Sequence, residues 1–432
     1  MSPALKALAD KVRAAAGNPL FREFLNFGSS SIFMQGSRVA SGLVVAGLLG
    51  PAAWGSWYLL NLIIAYGALS HLGATSGMNR EVPAALGRDD AAEAAALRHT
   101  TLGVVVASVA AASLLLLVAA ALVPGVIGLR ELGLMLMLLA VHQIFDYTTT
   151  ALRATTRFVV VARLQFAMAV AYPAFAIAGA WTFGLEGFIV GQALAYALVC
   201  VLGAQSPEVT FRPRLGRARA KALIAIGFPI MLVGVVSTLF ATVDRWVVAG
   251  FLGAESLGHY SLAIMSFGAV GLLPQVIYQQ FYPRVAFAWS ARGDRQELRR
   301  LARLHRNLTF AAVAPVVAVL VIIAPPAVRT LLPDFSPGIP ALMITMFVPV
   351  VSAIGQGYVS ILHVLDRQAW LLGAIAASAT VNVAVSAVLV RPYGLAGVAL
   401  GTVLAYALFG VLRVVLGEHA LRRVGEARRG LP

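Results

Sequence analysis

The sequence has a single cysteine, Cys200, in 432 residues. One thiol closes no intramolecular disulfide, and no His/Cys/Asp set stands at metal-ligand spacing, so neither staples nor a metal site are expected. Charge is scarce as well. Only 12% of residues are charged, 60% are hydrophobic, and the mean hydropathy is +0.85. A water-soluble domain carries about 25% charged residues, so a soluble fold is excluded and a polytopic membrane protein is expected. Acid is scarcer than base, with 18 Asp and Glu against 33 Lys and Arg. Extended hydrophilic segments are missing too, which leaves little room for an extramembrane catalytic domain.

What is present is apolar and repeated. Twelve stretches reach the roughly 20 apolar residues that a bilayer-spanning helix needs. They run from 24–49 and 55–78 at the start to 340–364, 369–390 and 395–416 at the end. FGLEGFIVGQALAYAL at 183–198 returns as YGLAGVALGTVLAYAL at 393–408, with nine of sixteen residues identical at an offset of 210. The register holds upstream to the pair Arg157 and Arg367. A duplicated half is expected, and duplicated halves of apolar helices mark transporters.

The basic residues set the orientation. With the N-terminus inside, the inside segments hold 27 of the 33 Lys and Arg, and the formal net charge of +15 becomes a topology signal with attraction to anionic lipid rather than a nucleic-acid footprint. The expected layout is an interfacial helix at 1–23, a first lobe at 24–204, a basic linker at 205–222, a second lobe at 223–416 and a basic tail at 417–432. No removable signal peptide is read at the N-terminus. Asp294 and Glu297 form a capping-box-like start to an amphipathic helix bearing Leu298, Leu301 and His305.

The segment LLGPAAWGSWYLLNLIIAYGALSHLGATSGMNREV at 48–82 resembles the first-hairpin pattern of polysaccharide transporters of the multidrug/oligosaccharidyl-lipid/polysaccharide exporter superfamily. VDRWVVAGFLGAESLGHYSLA at 243–263, followed by GDRQELRRL at 293–301, resembles the seventh-to-eighth segment pattern of the same family. With the GLxGxxxG openings of segments six and twelve, the similarity spans nearly the whole chain. It implies an all-α fold of twelve transmembrane helices, in two pseudo-symmetric six-helix lobes around a central cavity. It also implies a bacterial inner-membrane flippase, without cofactor or enzymatic activity, that moves lipid-linked oligosaccharide for surface polysaccharide such as O-antigen or exopolysaccharide. Membrane lipids and a polymerase or export machinery are the implied partners. The peptidoglycan-precursor flippases of the superfamily carry two further segments, which sets that substrate apart.

A lipid-linked sugar brings phosphate and many hydroxyls, so its carrier needs cations and hydrogen-bonding groups in a wet cavity. On segment one, Ser31, Gln35, Arg38 and Gly42 share a helical face. An arginine in mid-membrane costs about 2.5–3.5 kcal/mol on insertion scales, so Arg38 faces protein or water. It either captures phosphate or is a structural cation satisfied by carbonyls or an acid. Segment seven offers Asp244 and Arg245, about 100° apart on a helix. Arg245 is a cavity candidate, and Asp244 pairs with Arg38 as an outer gate or belongs to a packing network. Segment four carries His142, Asp146, Thr149 and Arg153 on one stripe, beside Gln143, Tyr147 and Thr150. His142 and Asp146 are ion-coupling candidates, or Asp146 pairs with a neighbouring cation. The second copy has Ser352, Gln356 and His363 at matching positions. Gln275, Tyr278, Gln279 and Tyr282 make a further stripe that suits sugar hydroxyls or an interfacial belt.

Some signals carry little. Gly187-x-x-x-Gly191 and Gly397-x-x-x-Gly401 read as close helix contacts, not nucleotide loops. Prolines 173, 229, 274, 315 and 349 are expected to kink their helices. Two other functions share this sequence reading: a cation-coupled drug exporter on the same fold, and a membrane-embedded glycosyltransferase or ligase, against which the short outer loops argue.

Overall fold

The computed structural model describes residues 19–122 and 128–429. The part of the expected interfacial helix up to residue 18 lies outside them. Every regular element among the described residues is helical: α1 Pro19–Gly67, α2 Ala74–Leu86, α3 Ala91–Leu122, α4 Leu129–Ala154, α5 Phe158–Gly203, α6 Arg217–Arg292, α7 Arg295–Leu331, α8 Ile339–Thr345, α9 Val348–Ala353, α10 Gln356–Val364 and α11 Gln368–Arg429, with a 3-10 turn at Pro333–Gly338. Apolar side chains over such lengths leave the backbone no water to bond, so its N–H and C=O groups pair within the helix.

Eight of the described helical segments are long and apolar enough to cross a membrane. Four of them contain a non-helical joint: Gly50 in α1, Phe183–Gly184 in α5, Gly253 in α6 and Gly394 in α11. All four glycines have positive φ, from 54° to 84°, which a side chain would resist. At Gly184 the chain doubles back, because Gly179 meets Gly187 and Gly191 meets Phe175. The same reversal occurs at Gly394, where Gly397 meets Leu389 and Gly401 meets Ser386.

The duplication is written in the backbone. Gly50 (φ 72°, ψ 170°) and Gly253 (φ 84°, ψ 177°) share one conformation, and Gly184 and Gly394 share another. Thr156 and Asp366, 210 residues apart, are both left-handed, with φ of 59° and 54°. The bonds around them match: Arg157 N–H to Leu152 O at 2.9 Å and Arg367 N–H to Leu362 O at 2.8 Å. These are the bonds of a left-handed helix cap, used twice although neither residue is glycine.

The chain divides into two compact units, Met1–Leu48 with Ile63–Leu232, and Leu49–Leu62 with Val233–Pro432. The short stretch 49–62 belongs with the second because Gly55 lies against Ala254 and Gly258 against Pro51, leaving no room for a Cβ on either glycine. In the first unit, Gly73 packs on Gly227 and Gly77 on Leu223. That contact coincides with an interruption: segment two, expected as one helix over 55–78, stops at Gly67 and restarts at Ala74, with Leu72 and Gly73 at positive φ. The Gln143 amide donates to the carbonyl of Gly67 at 3.2 Å, satisfying a group the break sets free.

Segment ten is also broken, into α8, α9 and α10, where one helix over 340–364 was expected. Pro349 lacks the N–H that would have continued the ladder. Pro173 and Pro315, by contrast, sit inside helices that continue past them.

Charged contacts hold the connecting segments. In the first unit the linker is clasped by Tyr147, whose hydroxyl donates to Thr210 O at 3.2 Å, and by Arg98, which donates to Glu208 O at 2.6 Å. In the second unit, Asp294 caps α7 by accepting from Gln296 N–H at 2.8 Å. Glu297 lies near Arg300 at 3.5 Å. The amphipathic face is buried at Leu298 and His305 and half-buried at Leu301.

Candidate functional sites

In the first unit, Arg38 projects from α1 between two tyrosines. Its Nη2 donates to the Tyr196 hydroxyl at 2.8 Å, and its guanidinium lies 5.1 Å from the ring centre of Tyr172 and 5.5 Å from that of Tyr196. The reversal at Gly184 is what delivers both rings, since Tyr172 stands on one arm of α5 and Tyr196 on the other. Tyr172 donates across the hairpin to Gln192 Oε1 at 3.0 Å. His142 from α4 stands edge-on to Tyr196, ring centres 5.0 Å apart.

Three buried nitrogens around these rings have no partner among the described residues: Arg38 Nε, His142 Nδ1 and Gln192 Nε2. Leaving a buried polar group unpaired costs about 1–3 kcal/mol. Nor does any carboxylate among the described residues lie within 4 Å of Arg38. The charge is balanced by a hydroxyl and two π faces instead. Asp146, one turn along α4, acts electrostatically on both His142 and His71. His71 Nδ1 accepts from Gly73 N–H at 3.0 Å, which puts the proton of a neutral ring on Nε2, 3.0 Å from Thr75 Oγ1.

The stripe on segment four is thus divided in its roles. His142 and Asp146 join the Arg38 neighbourhood, Gln143 and Tyr147 hold backbone carbonyls, and Arg153 donates to Thr150 Oγ1 at 2.9 Å. On segment one, Ser30 and Ser31 both donate to Gln165 Oε1, at 2.6 and 3.1 Å, and Gln35 is half-buried.

The second unit carries an open pocket of about 480 Å³. Its polar lining includes Ser237, Gln275, Tyr278, Ser352, Gln356, His363 and Arg413, set among aromatic walls that include Phe240, Phe267, Tyr406 and Phe409. Tyr278 and His363 Nδ1 are hydrogen-bonded at 3.0 Å, and Tyr282 stacks on Tyr278 at 5.9 Å. Gln279 is exposed and outside this lining.

Arg413 was not among the expected site residues, although an arginine inside an apolar stretch was the available signal. It is 3% exposed. Its guanidinium donates to Gln356 Oε1 at 2.8 Å, to Ser352 O at 2.8 Å and Oγ at 3.2 Å, and to Phe409 O at 3.3 Å. Ser352 O lies at the break between α9 and α10, so Arg413 serves carbonyls that the broken segment leaves open. Gly355 leaves the room it needs, since a Cβ there would meet the Arg413 side chain.

Asp244 and Arg245 belong to the second unit, while Arg38 belongs to the first. Asp244 Oδ1 accepts from the Arg245 backbone N–H at 2.8 Å, and its carboxyl faces the fully buried Tyr260. The Arg245 guanidinium lies over Tyr58 at 5.6 Å. Each therefore has partners within its own unit.

The sequence pattern of the family described as "Polysaccharide biosynthesis protein" matches residues 44–334. A curated relative, stage V sporulation protein B of Bacillus subtilis (strain 168), is 28% identical over 131 residues, which is 30% of this chain and 25% of that protein. The chain thus matches only a quarter of that relative's length. Among solved structures, a multidrug resistance MATE family transporter of the MOP superfamily in an inward-facing conformation is similar with a TM-score of 0.70 at 15% identity, covering 92% of this chain and 96% of that one. Lipid II flippase MurJ in an inward closed conformation is similar with a TM-score of 0.65 at 15% identity, covering 90% and 87%. At such identity these structures report the fold, which is that of MOP-superfamily transporters.

Proposed function

We propose, because the chain belongs to the polysaccharide biosynthesis protein family, that it is a membrane transporter which flips lipid-linked oligosaccharide across a bacterial cytoplasmic membrane. Eight apolar helical segments, four of them jointed at a glycine, support a reading of twelve spans. The concentration of basic residues in alternate connections supports cytoplasmic termini. The two repeats then alternate access to the two leaflets, and transport rather than catalysis is the activity.

The observation that carries the substrate class is the environment of Arg38. A cation in an apolar unit, balanced by tyrosines instead of a carboxylate and surrounded by unpaired nitrogens, is suited to a phosphate bearing its own negative charge. The similarity in fold to a protein named as a lipid II flippase supports the same class. The hydroxyl- and amide-bearing residues Gln275, Tyr278 and Gln356 suit sugar hydroxyls, and Asp146, whose charge acts on both His142 and His71, suits coupling to a cation or proton.

The test is glycan export in cells carrying Arg38→Ala and Arg38→Lys at matched membrane protein level. Loss of export by Arg38→Ala, with partial retention by Arg38→Lys, is the expected result, because lysine keeps the charge but not the fork. Full export by Arg38→Ala would overturn the phosphate role.

A further inference from the structure

The offset of 210 residues that relates the halves carries Arg157 to Arg367 and Glu208 to Glu418. In the first unit the two form an ion pair, with Arg157 Nε donating to Glu208 Oε1 at 2.6 Å. In the second unit that pairing is gone. Glu418 instead takes Arg299 at 2.9 Å and accepts from the Tyr358 hydroxyl at 2.7 Å. The cause is in the helices. α5 stops at Gly203 and the chain turns, returning Glu208 to Arg157, whereas α11 runs straight through 418 and carries its glutamate to the start of α7.

Arg367 is left without its inherited partner. Its guanidinium lies over the Trp370 indole at 5.0 Å, and Arg423 approaches the same ring at 5.8 Å. His419 is also against it, with ring centres 5.6 Å apart. Among the described side chains, which on α11 end at Arg423, no carboxylate comes within 4 Å of either guanidinium. Two like charges gathered around one aromatic ring repel, and an anion bound beside them would relieve that repulsion.

The location selects the anion. Trp370 stands at the start of the apolar stretch 369–390, and Arg423 follows the end of the stretch 395–416. The cluster therefore sits where hydrocarbon gives way to headgroups, the level at which tryptophan rings concentrate and at which basic side chains meet lipid phosphate.

We infer that Arg367, Trp370 and Arg423 form a binding site for the headgroup of an anionic phospholipid, with the two guanidiniums supplying the positive charge for its phosphate. The site is independent of what is transported and rests only on the chain spanning a membrane. It belongs to the second repeat alone, because in the first Glu208 already neutralises the matching arginine.

Native mass spectrometry of the detergent-solubilised full chain titrated with phosphatidylglycerol tests this. Each of Arg367→Gln and Arg423→Gln is expected to weaken the tightest lipid-binding step about fivefold, and the double variant about 25-fold, from roughly 1 kcal/mol per basic residue at a membrane surface. Arg80→Gln with Arg88→Gln removes the same charge from exposed positions elsewhere and should leave that step unchanged. An equal loss in this control would overturn the site in favour of diffuse attraction. So would equally tight binding of phosphatidylcholine by the wild-type chain. Displacement of the lipid by inorganic phosphate at similar concentration would overturn the lipid assignment for a soluble anion, and stronger binding of a polyprenyl phosphate would overturn it for the transported lipid. If the double variant unfolds, the exposed Arg423→Gln alone, checked by circular dichroism, decides: unchanged lipid binding rejects the proposal.

Discussion

Gly179 and Gly187 lie back to back across the reversal in α5. A Cβ on Gly179 would stand 2.0 Å from the Gly187 carbonyl oxygen, and one on Gly187 would stand 2.1 Å from that of Gly179. The two arms touch through backbone, as small-residue helix contacts in membranes do. This contact also fixes the distance between Tyr172 and Tyr196, and so the clamp on Arg38.

Gly187→Val is accordingly expected to destabilise the first unit by about 1–3 kcal/mol, the usual cost of forcing volume into a packed contact. Gly133→Ala, where a Cβ would meet nothing within 4 Å, should be neutral or slightly stabilising. Thermal unfolding of the two purified variants in the same detergent makes the comparison. Equal midpoints would mean that the hairpin contact is not close in solution.

Arg38 and Arg413 are expected to respond to mutation in opposite ways. Arg413 is bonded to Gln356, Ser352 and Phe409, so Arg413→Ala strands several buried acceptors at about 1–3 kcal/mol each and should lower the folded yield. Arg38→Ala removes one hydroxyl contact and two ring contacts, so it should leave folded protein that does not export. Fluorescence-detected gel filtration of the two variants separates these outcomes. A stable, monodisperse Arg413→Ala protein would contradict the structural role given to it.

Orientation is open to direct measurement. In a Cys200→Ala background, a cysteine at exposed Glu255 should react with an impermeant maleimide in intact cells, and one at exposed Ala218 only after permeabilisation. Glu255 is a better site than its neighbour Gly253, whose φ of 84° penalises any side chain. Labelling of Ala218→Cys from outside would invert the topology drawn from the basic residues.

The sequence by itself determined the all-helical class, the repeat and the short list of intramembrane charges. Each is a property of residues close in the chain: apolar runs dictate helices in lipid, duplicated text dictates matching turns at Gly184 and Gly394, and an arginine in an apolar run stands out by composition. What the chain does with those charges was decided by tertiary structure. No spacing shows that Arg38 meets Tyr196, 158 positions away. None shows that Arg413 answers a helix break 61 positions before it, or that His71 joins Asp146 across a broken segment two. Gln143 and Tyr147 lay beside the polar stripe of His142, yet packing turned them to carbonyls. The physical reason is that a buried polar group takes whichever partner the fold brings within about 3 Å. That choice depends on where helices stop, cross and reverse, as the diverging fates of Glu208 and Glu418 make plain.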